Sequence, residues 1–503
     1  MAASARCYGC FVFLLLLQLL LAAGAGAASS SSSSSHVELS LETLFPAAAS
    51  PCSMQQQDHL HGASTATRMP VVHQHGPCSP LAGARAKPPS HADILAADQR
   101  RVEYIHRRVS ETTTGRGRRP RRAASRPAAV NLRPGPSPAA SASTSATSST
   151  HLPALPGRAL GTGNYVVTVG LGTPASRLTV VFDTGSDTTW VQCQPCVAYC
   201  YRQKEPLFDP ARSSTYANVS CAAAACTELD TSGCNSGHCL YAVQYGDGSY
   251  TVGFFAQDTL TLAGDAVRGF RFGCGEKNRG LFGRAAGLMG LGRGRTSLAV
   301  QAFDRYGGAF AYCLPASASG TTGFLDLGAG SPAANARLTP MLTGNGPTFY
   351  YVGVTGIKVG GDELPIPASV FSGAGALVDS GTVITRLPPA AYAALRSAFA
   401  GAMAGLGYKK APAYSILDTC YDLRGVQGSV ALPAVALVFQ GGACLDVDAS
   451  GIVYAADASQ VCLAFAANEE EDDVAIIGNT QQKTYAVLYD IGKQVVGFAP
   501  GAC

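Results

Sequence analysis

The sequence predicts a mainly β protein made of two related lobes, and three observations support this prediction. Only 14% of the 503 residues are charged, while 57 are glycine and 29 are proline, which argues against a coiled coil or a long helical array. From Asn164 onward, short runs rich in valine, tyrosine, phenylalanine and threonine alternate with glycine and proline, as is typical of strands and turns. One ordered set of motifs then occurs twice in this region, as expected for two homologous lobes.

The first 28 residues have the pattern of a secretory signal peptide. Arg6 is their single charge, the apolar stretch Phe11 to Leu21 follows, and small residues extend to Ala27. An uncleaved membrane anchor is the less favoured alternative. We therefore predict a secreted protein without a membrane attachment after signal removal, and a vacuolar or plastid location is less favoured.

Residues 29–157 are predicted to form a basic propeptide. Residues 29–150 carry 14 Lys and Arg against 7 Asp and Glu, whereas residues 151–503 carry 22 against 26. A basic front section before a mildly acidic body favours a removable segment over a nucleic-acid enzyme. Ser29 to Ser35 and residues 110–157, which include the basic cluster Arg116 to Arg122, are predicted to be disordered.

One helix is predicted inside this basic section, from His91 to about Ser110. Ser90 and Asp93 have the spacing of a capping box at its start. Apolar residues fall on one face and arginines surround them: Leu95, Val102, Ile105 and Val109, with Arg100, Arg101, Arg107 and Arg108. The helix is either a solvated linker or part of an inhibitory propeptide whose cations cover an acidic cleft.

The repeated motif is an apolar strand that ends in an aspartate, a hydroxyl residue and a glycine. The first copy ends at Asp183-Thr-Gly-Ser186 and the second at Asp379-Ser-Gly-Thr382. Each is followed by an apolar-apolar-glycine run, which contains Leu291 after 108 residues and Ile477 after 98. If the lobes are related by pseudo-twofold symmetry, the two carboxylates meet at one water. Two carboxylates at close range share a proton, so one can act as a base and the other as an acid.

These residues resemble the pepsin-like aspartic proteases, and specifically the plant nepenthesin-like branch, over about residues 160–503. The resemblance implies a bilobal fold with Asp183 and Asp379 as the catalytic pair. It assigns Ser186 and Thr382 as supporting hydroxyls, and Gly185 and Gly381 as the glycines of the active-site loops. In Tyr245-Gly-Asp-Gly-Ser249, Tyr245 resembles the tyrosine of the flap, a hairpin that covers the substrate, and Trp190 resembles its hydrogen-bonding partner. Taken alone, this motif also fits an ordinary hairpin turn.

Thirteen cysteines lie in the body, and their density in a secreted chain favours disulfides over metal. Spacing does not give the pairing of the eight that lie between positions 193 and 274: Cys193, Cys196, Cys200, Cys221, Cys226, Cys234, Cys239 and Cys274. The resemblance implies that Cys420 pairs with Cys462 and Cys313 with Cys503, which leaves Cys444 as the odd thiol. Cys193 and Cys196 form half of a zinc-site spacing without a matching second half, so no metal is predicted.

Three smaller features complete the prediction. Asn218 begins a glycosylation sequon, and Glu469 to Asp473 is an acidic run predicted to be a solvated loop. Of the nine histidines only His238 lies in the body, which disfavours a His-based hydrolase or a zinc peptidase.

We therefore predict an aspartic endopeptidase that is secreted as a zymogen, acts at acidic pH, works as a monomer and needs no cofactor. The predicted parts are a signal peptide (1–28), a propeptide (29–157), an N-terminal lobe (158–340) with a cysteine-rich insert (193–239), and a C-terminal lobe (341–503). Protein or peptide substrates and its own propeptide are the expected partners, and nucleic acid is not. The alternatives are an inactive pepsin-fold binding protein of the xylanase-inhibitor type, and a protease of the chloroplast nucleoid DNA-binding type.

Overall fold

A computed structural model describes most of the two lobes and parts of the section before them. The described residues are 35–44, 67–73, 90–113, 153–154, 165–280, 282–316, 323–328, 335–343, 345–373, 375–456 and 459–503. The predicted signal peptide, the cysteines at positions 7, 10, 52 and 78, and the Arg116 to Arg122 cluster lie outside them. In the part of the chain that is described, no helix is long and apolar enough to cross a membrane.

In the section before the lobes, the described residues form three strands and two helices. The strands are β1 (His36–Ser40), β2 (Thr67–His73) and β3 (Pro153–Ala154), and the helices are α1 (Leu41–Leu44) and α2 (His91–Thr113). The predicted disorder of residues 110–157 is therefore wrong at 110–113, which continue α2, and at 153–154, where Ala154 pairs with Gly323.

The first lobe is built almost entirely of strands. They are β4 (Tyr165–Leu171), β5 (Ser176–Asp183), β6 (Trp190–Gln192), β7 (Ala217–Asn218), β8 (Ser232–Asn235), β9 (His238–Gln244), β10 (Tyr250–Leu262), β11 (Asp265–Arg279), β12 (Gly287–Gly290), β13 (Ala309–Cys313) and β14 (Gly323–Leu327). Its helices are the single turns α3 (Ala224–Thr227), α4 (Leu298–Gln301) and α5 (Phe303–Tyr306), with a 3₁₀ turn at Pro210–Arg212. Strands β6, β12 and β14 are buried along their whole length, and β5 is buried from Leu178 to Asp183.

The second lobe repeats this architecture and adds one long helix, α6 (Pro389–Gly405), and one short helix, α7 (Ala449–Ile452). Two 3₁₀ turns lie at Ala368–Phe371 and Gln440–Gly442. Its strands are β15 (Arg337–Leu342), β16 (Tyr351–Val352), β17 (Val354–Val359), β18 (Asp362–Glu363), β19 (Ala376–Val378), β20 (Thr385–Leu387), β21 (Lys409–Ala411), β22 (Cys420–Asp422), β23 (Ser429–Pro433), β24 (Val435–Phe439), β25 (Cys444–Asp446), β26 (Val453–Ala455), β27 (Gln460–Leu463), β28 (Phe465–Ala467), β29 (Ala475–Ile477), β30 (Ala486–Asp490) and β31 (Val495–Ala499).

An antiparallel sheet joins the two lobes, and a strand of the front section lies inside it. Strand β2 pairs with β4 on one side and with β14 on the other. The sheet continues from β14 through β13, β30 and β31 to β15. Arg68 of β2 also donates to both carboxylate oxygens of Asp326, at 2.8 to 3.1 Å. The front section is thus hydrogen-bonded into the scaffold that carries the lobes.

The repeated motifs occupy equivalent places in the two lobes. Strand β5 pairs in parallel with β12, which places Asp183 opposite Gly290. In the second lobe β19 pairs in parallel with β29, which places Val378 opposite Ile477, one residue before Asp379. Each aspartate therefore follows an apolar strand that is held against its apolar-apolar-glycine partner, as the repeat predicted.

Helix α2 starts where the capping box predicted and packs its apolar face against the second lobe. The Ser90 backbone amide donates to Asp93 Oδ2 at 2.9 Å, and the Asp93 amide donates to Ser90 Oγ at 3.1 Å. Its leucine, isoleucine and valine residues, Ile94, Leu95, Val102, Ile105 and Val109, are all buried. The interpretation of α2 as a solvated linker is therefore wrong.

Candidate active site

Asp183 and Asp379 lie at the ends of their strands, buried between the lobes. Each side chain is 1% exposed. The two carboxylates are close enough for a single guanidinium nitrogen, Arg101 Nη2, to donate to both, at 2.8 Å to Asp183 Oδ1 and 2.9 Å to Asp379 Oδ2. The chain thus brings together two aspartates that are 196 positions apart in the sequence.

Hydrogen bonds hold the two carboxylates in the same way in both lobes. Ser186 Oγ donates to Asp183 Oδ2 at 2.8 Å, and Thr382 Oγ1 donates to Asp379 Oδ2 at 2.6 Å. The backbone amide two residues after each aspartate donates to its other oxygen, at 2.9 Å in the first lobe and 3.0 Å in the second. Each carboxylate is therefore fixed by one hydroxyl and one amide.

The glycines of the two loops make this approach possible. A Cβ on Gly185 would lie 2.7 Å from Asp379 Oδ1, and a Cβ on Gly381 would overlap Asp183 Oδ1. Any larger residue would therefore force the carboxylate of the opposite lobe away.

The residues between each aspartate and its glycine connect the loops directly. The Thr184 backbone amide donates to Ser380 Oγ at 3.1 Å, and the Ser380 amide donates to Thr184 Oγ1 at 2.9 Å. This reciprocal pair is buried and fixes the distance between the aspartates. The sequence shows both hydroxyl residues, but it does not show that each one bonds the backbone of the other lobe.

The pKa values of the two carboxyls are shifted in opposite directions. Burial raises the pKa of Asp183, and the neighbouring Asp379 raises it further, against the opposing effect of Arg101. Burial also acts to raise the pKa of Asp379, but the Arg101 charge and the Thr382 hydroxyl outweigh it and hold this pKa below its usual range. The pair is thus arranged so that one carboxyl is more readily protonated than the other.

Tyr245 lies in a hairpin that covers the site. The hairpin joins β9 to β10, and the Tyr245 amide donates to Ser249 O at 2.8 Å. Trp190 Nε1 donates to the Tyr245 hydroxyl at 2.8 Å, and both rings contact Phe282 edge to face. Sequence reasoning did not single out Phe282, because a lone phenylalanine carries no motif. Residues 245–249 therefore form a hairpin turn, and this turn lies where the flap was expected.

Helix α2 closes the cleft between the loops and the flap. Arg101 Nε and Nη2 donate to Asp379 Oδ2 at 3.2 and 2.9 Å, and Arg101 Nη1 donates to Asp183 Oδ2 at 3.3 Å. Tyr104 lies against the flap, so closely that a Cβ on Gly246 would overlap it. Burial acts to lower the pKa of Arg101, but the two carboxylates outweigh it and raise this pKa, so Arg101 remains a cation.

Sequence reasoning missed a second acid in the first aspartate loop, the half-buried Asp187. Asp187 accepts from the Gly294 amide at 2.8 Å and from Thr348 Oγ1 at 2.7 Å. Burial raises its pKa to about 6, although these hydrogen bonds oppose the shift. Thr348 lies just before β16 of the second lobe, so Asp187 adds a further link between the lobes.

The cysteines of the body form six disulfides among the described residues. In the first lobe Cys193 bonds to Cys274, Cys196 to Cys200, Cys221 to Cys234 and Cys226 to Cys239. Cys313 bonds to Cys503 and Cys420 to Cys462, the two pairs that the resemblance implied. Cys193 and Cys196, the half zinc spacing, are thus bonded to different partners.

The remaining predicted residues lie away from the cleft. Cys444 is a half-buried free thiol, and burial raises its pKa to about 11. Asn218 lies in β7, where its Oδ1 accepts from the Tyr216 hydroxyl at 2.6 Å. The solvated-loop prediction for the acidic run is wrong at one residue, because Asp473 Oδ2 lies 3.3 Å from His106 Nδ1 of α2.

Comparisons with known proteins agree with this arrangement. Two family models match, described as xylanase inhibitor N-terminal over residues 165–329 and xylanase inhibitor C-terminal over residues 349–500. An Arabidopsis thaliana aspartyl protease family protein is 45% identical over 472 residues, which cover 92% of each chain. Aspartyl protease AED1 of the same plant is 41% identical over 92% of each chain. Aspartic proteinase nepenthesin-2 of Nepenthes gracilis is 36% identical over 68% of this chain and 78% of its own.

A solved structure supports the fold independently. The crystal structure of edgp has a TM-score of 0.55 at 21% identity and covers 67% of this chain and 91% of its own. At this identity the likeness concerns the fold alone. With the relatives above, it shows that the chain belongs to the plant aspartyl protease family of pepsin-like fold, in its nepenthesin-like branch.

Proposed function

We propose that this chain is an aspartic endopeptidase that is made as an inactive, secreted precursor and acts at acidic pH. The observation that carries the proposal is the position of Arg101, whose Nη2 donates to both carboxylates at 2.8 to 3.1 Å. A water that attacks a peptide must bind both carboxylates at this same place. Residues 29–157 therefore act as a propeptide, and α2 is its inhibitory helix.

The catalytic step follows from the two carboxylates once Arg101 has left. Asp183 and Asp379 then hold one proton between them. The ionised carboxylate takes a proton from the water, whose oxygen attacks the peptide carbonyl, while the protonated partner donates to the carbonyl oxygen. The tetrahedral diol then collapses: the C–N bond breaks as the nitrogen takes the proton from the first carboxyl, and a diol hydroxyl returns a proton to the second carboxylate, which restores the starting pair. Ser186 and Thr382 keep the carboxylates oriented, and the flap with Tyr245 excludes bulk water from the closed cleft.

Acid favours the release of α2 through the same pair. Burial acts to raise the pKa of both carboxyls and the Arg101 charge acts to lower it, so the contact with Arg101 is strongest when both carboxyls are ionised. As the pH falls, the pair takes up a proton and this contact weakens. We expect the purified precursor to mature faster at pH 4 than at pH 7, as measured by the appearance of the shorter chain on gels. Faster maturation at neutral pH would contradict the acid trigger.

Replacing one catalytic carboxylate by an amide tests the proposed chemistry. Asp183→Asn keeps the side-chain shape but cannot share the proton, so we expect cleavage of a denatured protein substrate at pH 4 to be abolished. Asp446→Asn, at an exposed aspartate of β25, is the matched control and should retain wild-type cleavage. Circular dichroism of both variants would verify the fold. Retained cleavage by the Asp183→Asn variant would refute the assigned role.

An inactive pepsin-fold binding protein remains the second candidate, because both matching family models are named for xylanase inhibitors. Against it, both aspartates, both supporting hydroxyls and the flap tyrosine are present in bonded positions. The two candidates differ in one readout. A wild-type chain that has lost residues 29–157 but cleaves no protein at any pH from 3 to 7 would favour the binding protein.

Secretion and processing are supported by the disulfides and the basic front section. Six disulfides among the described residues fit an oxidising compartment, and an N-terminal signal peptide fits the same route. Mass-spectrometric mapping of the mature protein should find its N-terminus beyond α2 and before β4, with a glycan on Asn218. A mature chain that still contains residues 91–113 would contradict removal of the helix.

A further inference from the structure

Arg386 is fully buried beside the second aspartate loop, and its counter-charge comes from helix α2. Its side chain is 0% exposed and that of Asp98 is 1% exposed. Arg386 Nη2 donates to Asp98 Oδ2 at 3.1 Å and to Gln99 Oε1 at 3.3 Å, and Nη1 donates to Ile384 O at 2.7 Å. Arg386 Nε is buried without a hydrogen-bond partner among the described residues.

Two backbone amides complete a binding site for the Asp98 carboxylate. The Val383 amide donates to Asp98 Oδ1 at 2.6 Å, and the Ile384 amide donates to Asp98 Oδ2 at 3.2 Å. Both oxygens of one carboxylate are thus held by donors from a single stretch of the second lobe, residues 383–386. Such charge-assisted hydrogen bonds are the strong ones in proteins.

The donors belong to the rigid second lobe, whereas the carboxylate belongs to the segment that is removed. Arg386 lies in β20, which pairs in parallel with β28 and in antiparallel with β29. The Thr385 hydroxyl and amide both donate to Gln481 Oε1, which holds residues 383–386 in place within the second lobe. The site therefore stays formed when α2 leaves, but Arg386 then loses Asp98 and Gln99 together.

Arg386 keeps its charge when α2 leaves, and it then faces the open cleft without its carboxylate. A substrate that covers Arg386 and the two amides without supplying an acceptor would bury a cation without a counter-charge and amides without a partner, which is strongly unfavourable. The best replacement has the chemistry of the group that left, namely a carboxylate with both oxygens available.

The position of the site places it within reach of a bound substrate. Asp98 precedes Arg101 by three residues on the same face of α2, a rise of about 4.5 Å along the helix. Arg101 occupies the place of the catalytic water, so the carboxylate site lies close to the bond to be cleaved. An extended peptide advances about 3.3 Å per residue, which brings the side chains of the first few residues beside that bond within reach.

We propose that the Val383 and Ile384 amides and Arg386 form a carboxylate-binding subsite that selects substrates with an acidic group near the scissile bond. This inference rests on the proposed protease function and adds a substrate class to it. The carboxylate is that of an Asp or Glu side chain or that of a peptide C-terminus, since both offer the same two oxygens. The propeptide uses the same subsite through Asp98, as a substrate would.

The test compares isosteric substrates on the full-length precursor after activation. A library of quenched peptides, each with an amidated or a free C-terminus, would carry Asp or Asn at one of four positions on each side of the scissile bond. At about pH 5, where Asp is largely ionised, we expect at least a tenfold higher kcat/KM for Asp over Asn at one position. A preference that survives amidation assigns the carboxylate to a side chain, and one that needs the free end assigns it to the C-terminus.

Two variants separate the subsite from the catalytic machinery. Arg386→Gln should abolish the Asp preference, measured as the ratio of kcat/KM for the Asp peptide to kcat/KM for the Asn peptide within the same variant. Arg396→Gln, at an exposed arginine of α6, is the matched control and should keep the preference. Equal cleavage of Asp and Asn peptides at every position by the wild-type enzyme would overturn the inference while the protease function stood, and this comparison needs no variant. Cleavage of no peptide would overturn both.

Discussion

Helix α2 contacts the two lobes in different ways. Against the second lobe it is part of the core: Leu95 packs with Val383 and Ile384, and Val102 packs with Leu377 and Ile476. Its contacts with the first lobe are ion pairs made by Arg101 and Arg108 and the contact of Tyr104 with Gly246 of the flap. The helix is thus a component of the second lobe that reaches across the cleft by charge.

If α2 is the inhibitory helix of a precursor, as proposed above, this difference determines how the precursor is controlled. Apolar contacts do not change with pH, whereas the ion pairs across the cleft do. We expect acid to loosen the contact with the first lobe and its flap before the helix leaves the second lobe. Inhibition and docking are then separable properties of one helix, and substitutions can test each one.

Arg101→Gln should have the largest effect. Removing one partner from a buried ion pair costs about 3–5 kcal/mol, and here two carboxylates of 1% exposure lose their cation. We expect the unprocessed variant precursor to bind a transition-state analogue with a statine-type hydroxyl, which the wild-type precursor excludes. Calorimetry at pH 5 would measure this binding. Arg107→Gln, at an exposed arginine of the same helix, is the control, and exclusion by both variants would contradict the role of Arg101.

Leu95→Ala tests the apolar side of the comparison. Leu95 is 0% exposed, and truncation of such a residue costs about 2–5 kcal/mol. The substitution weakens the apolar packing of α2 on the second lobe and changes no charge. We therefore expect the variant to mature at least about tenfold faster than wild type at pH 7, as measured on gels. Glu103→Ala, on the exposed face, should mature at the wild-type rate. An unchanged rate in the Leu95→Ala variant would show that the apolar face does not hold the helix.

The same difference explains what the sequence could predict. The repeat predicted the two aspartates, their hydroxyls and the equivalent strands, because a duplicated motif encodes both position and chemistry. The capping box and the 3.6-residue spacing predicted α2 and four of its five buried apolar residues, with Ile94 missed. These are local patterns, which a sequence carries explicitly.

Contacts between single residues distant in sequence could not be predicted. Four arginines surround the predicted helix, and nothing in their spacing distinguishes Arg101 from Arg107, although one is bonded to both aspartates and the other is exposed. Asp98 and Arg386 are 288 positions apart, and neither belongs to a motif that predicts a buried ion pair. Asp187 looks like an ordinary residue after a loop. Such pairs depend on how the front section folds back onto the second lobe.

His106 links α2 to pH by a route that is independent of the aspartates. Burial lowers its pKa below 6.5 against the opposing effect of Asp473, and Arg386 lowers it further. A depressed histidine pKa means that docking favours the neutral ring, so this contribution to docking is lost as the pH falls through about 6.5. Asp98 acts in the opposite direction, because burial raises its pKa and docking then takes up a proton.

We expect His106→Gln to lower the pH midpoint of maturation by about half a unit, with His238→Gln as the unshifted control. A midpoint that does not move would assign the pH response to the aspartates alone.

Arg108→Gln should have the smallest effect, and it sharpens the comparison most directly. Arg108 Nη2 lies 2.8 Å from Asp230 Oδ2, as short as the distance from Arg101 to Asp183, but Asp230 is 70% exposed. Water screens such a pair, which contributes only about 0.2–1 kcal/mol and less at high salt. We expect the variant to mature less than about fivefold faster than wild type in low salt, with the difference disappearing in 1 M NaCl. If Arg108→Gln instead released the precursor as strongly as Arg101→Gln, the ion pair at the rim of the cleft would hold the lobes together, and burial would not be what distinguishes the two arginines.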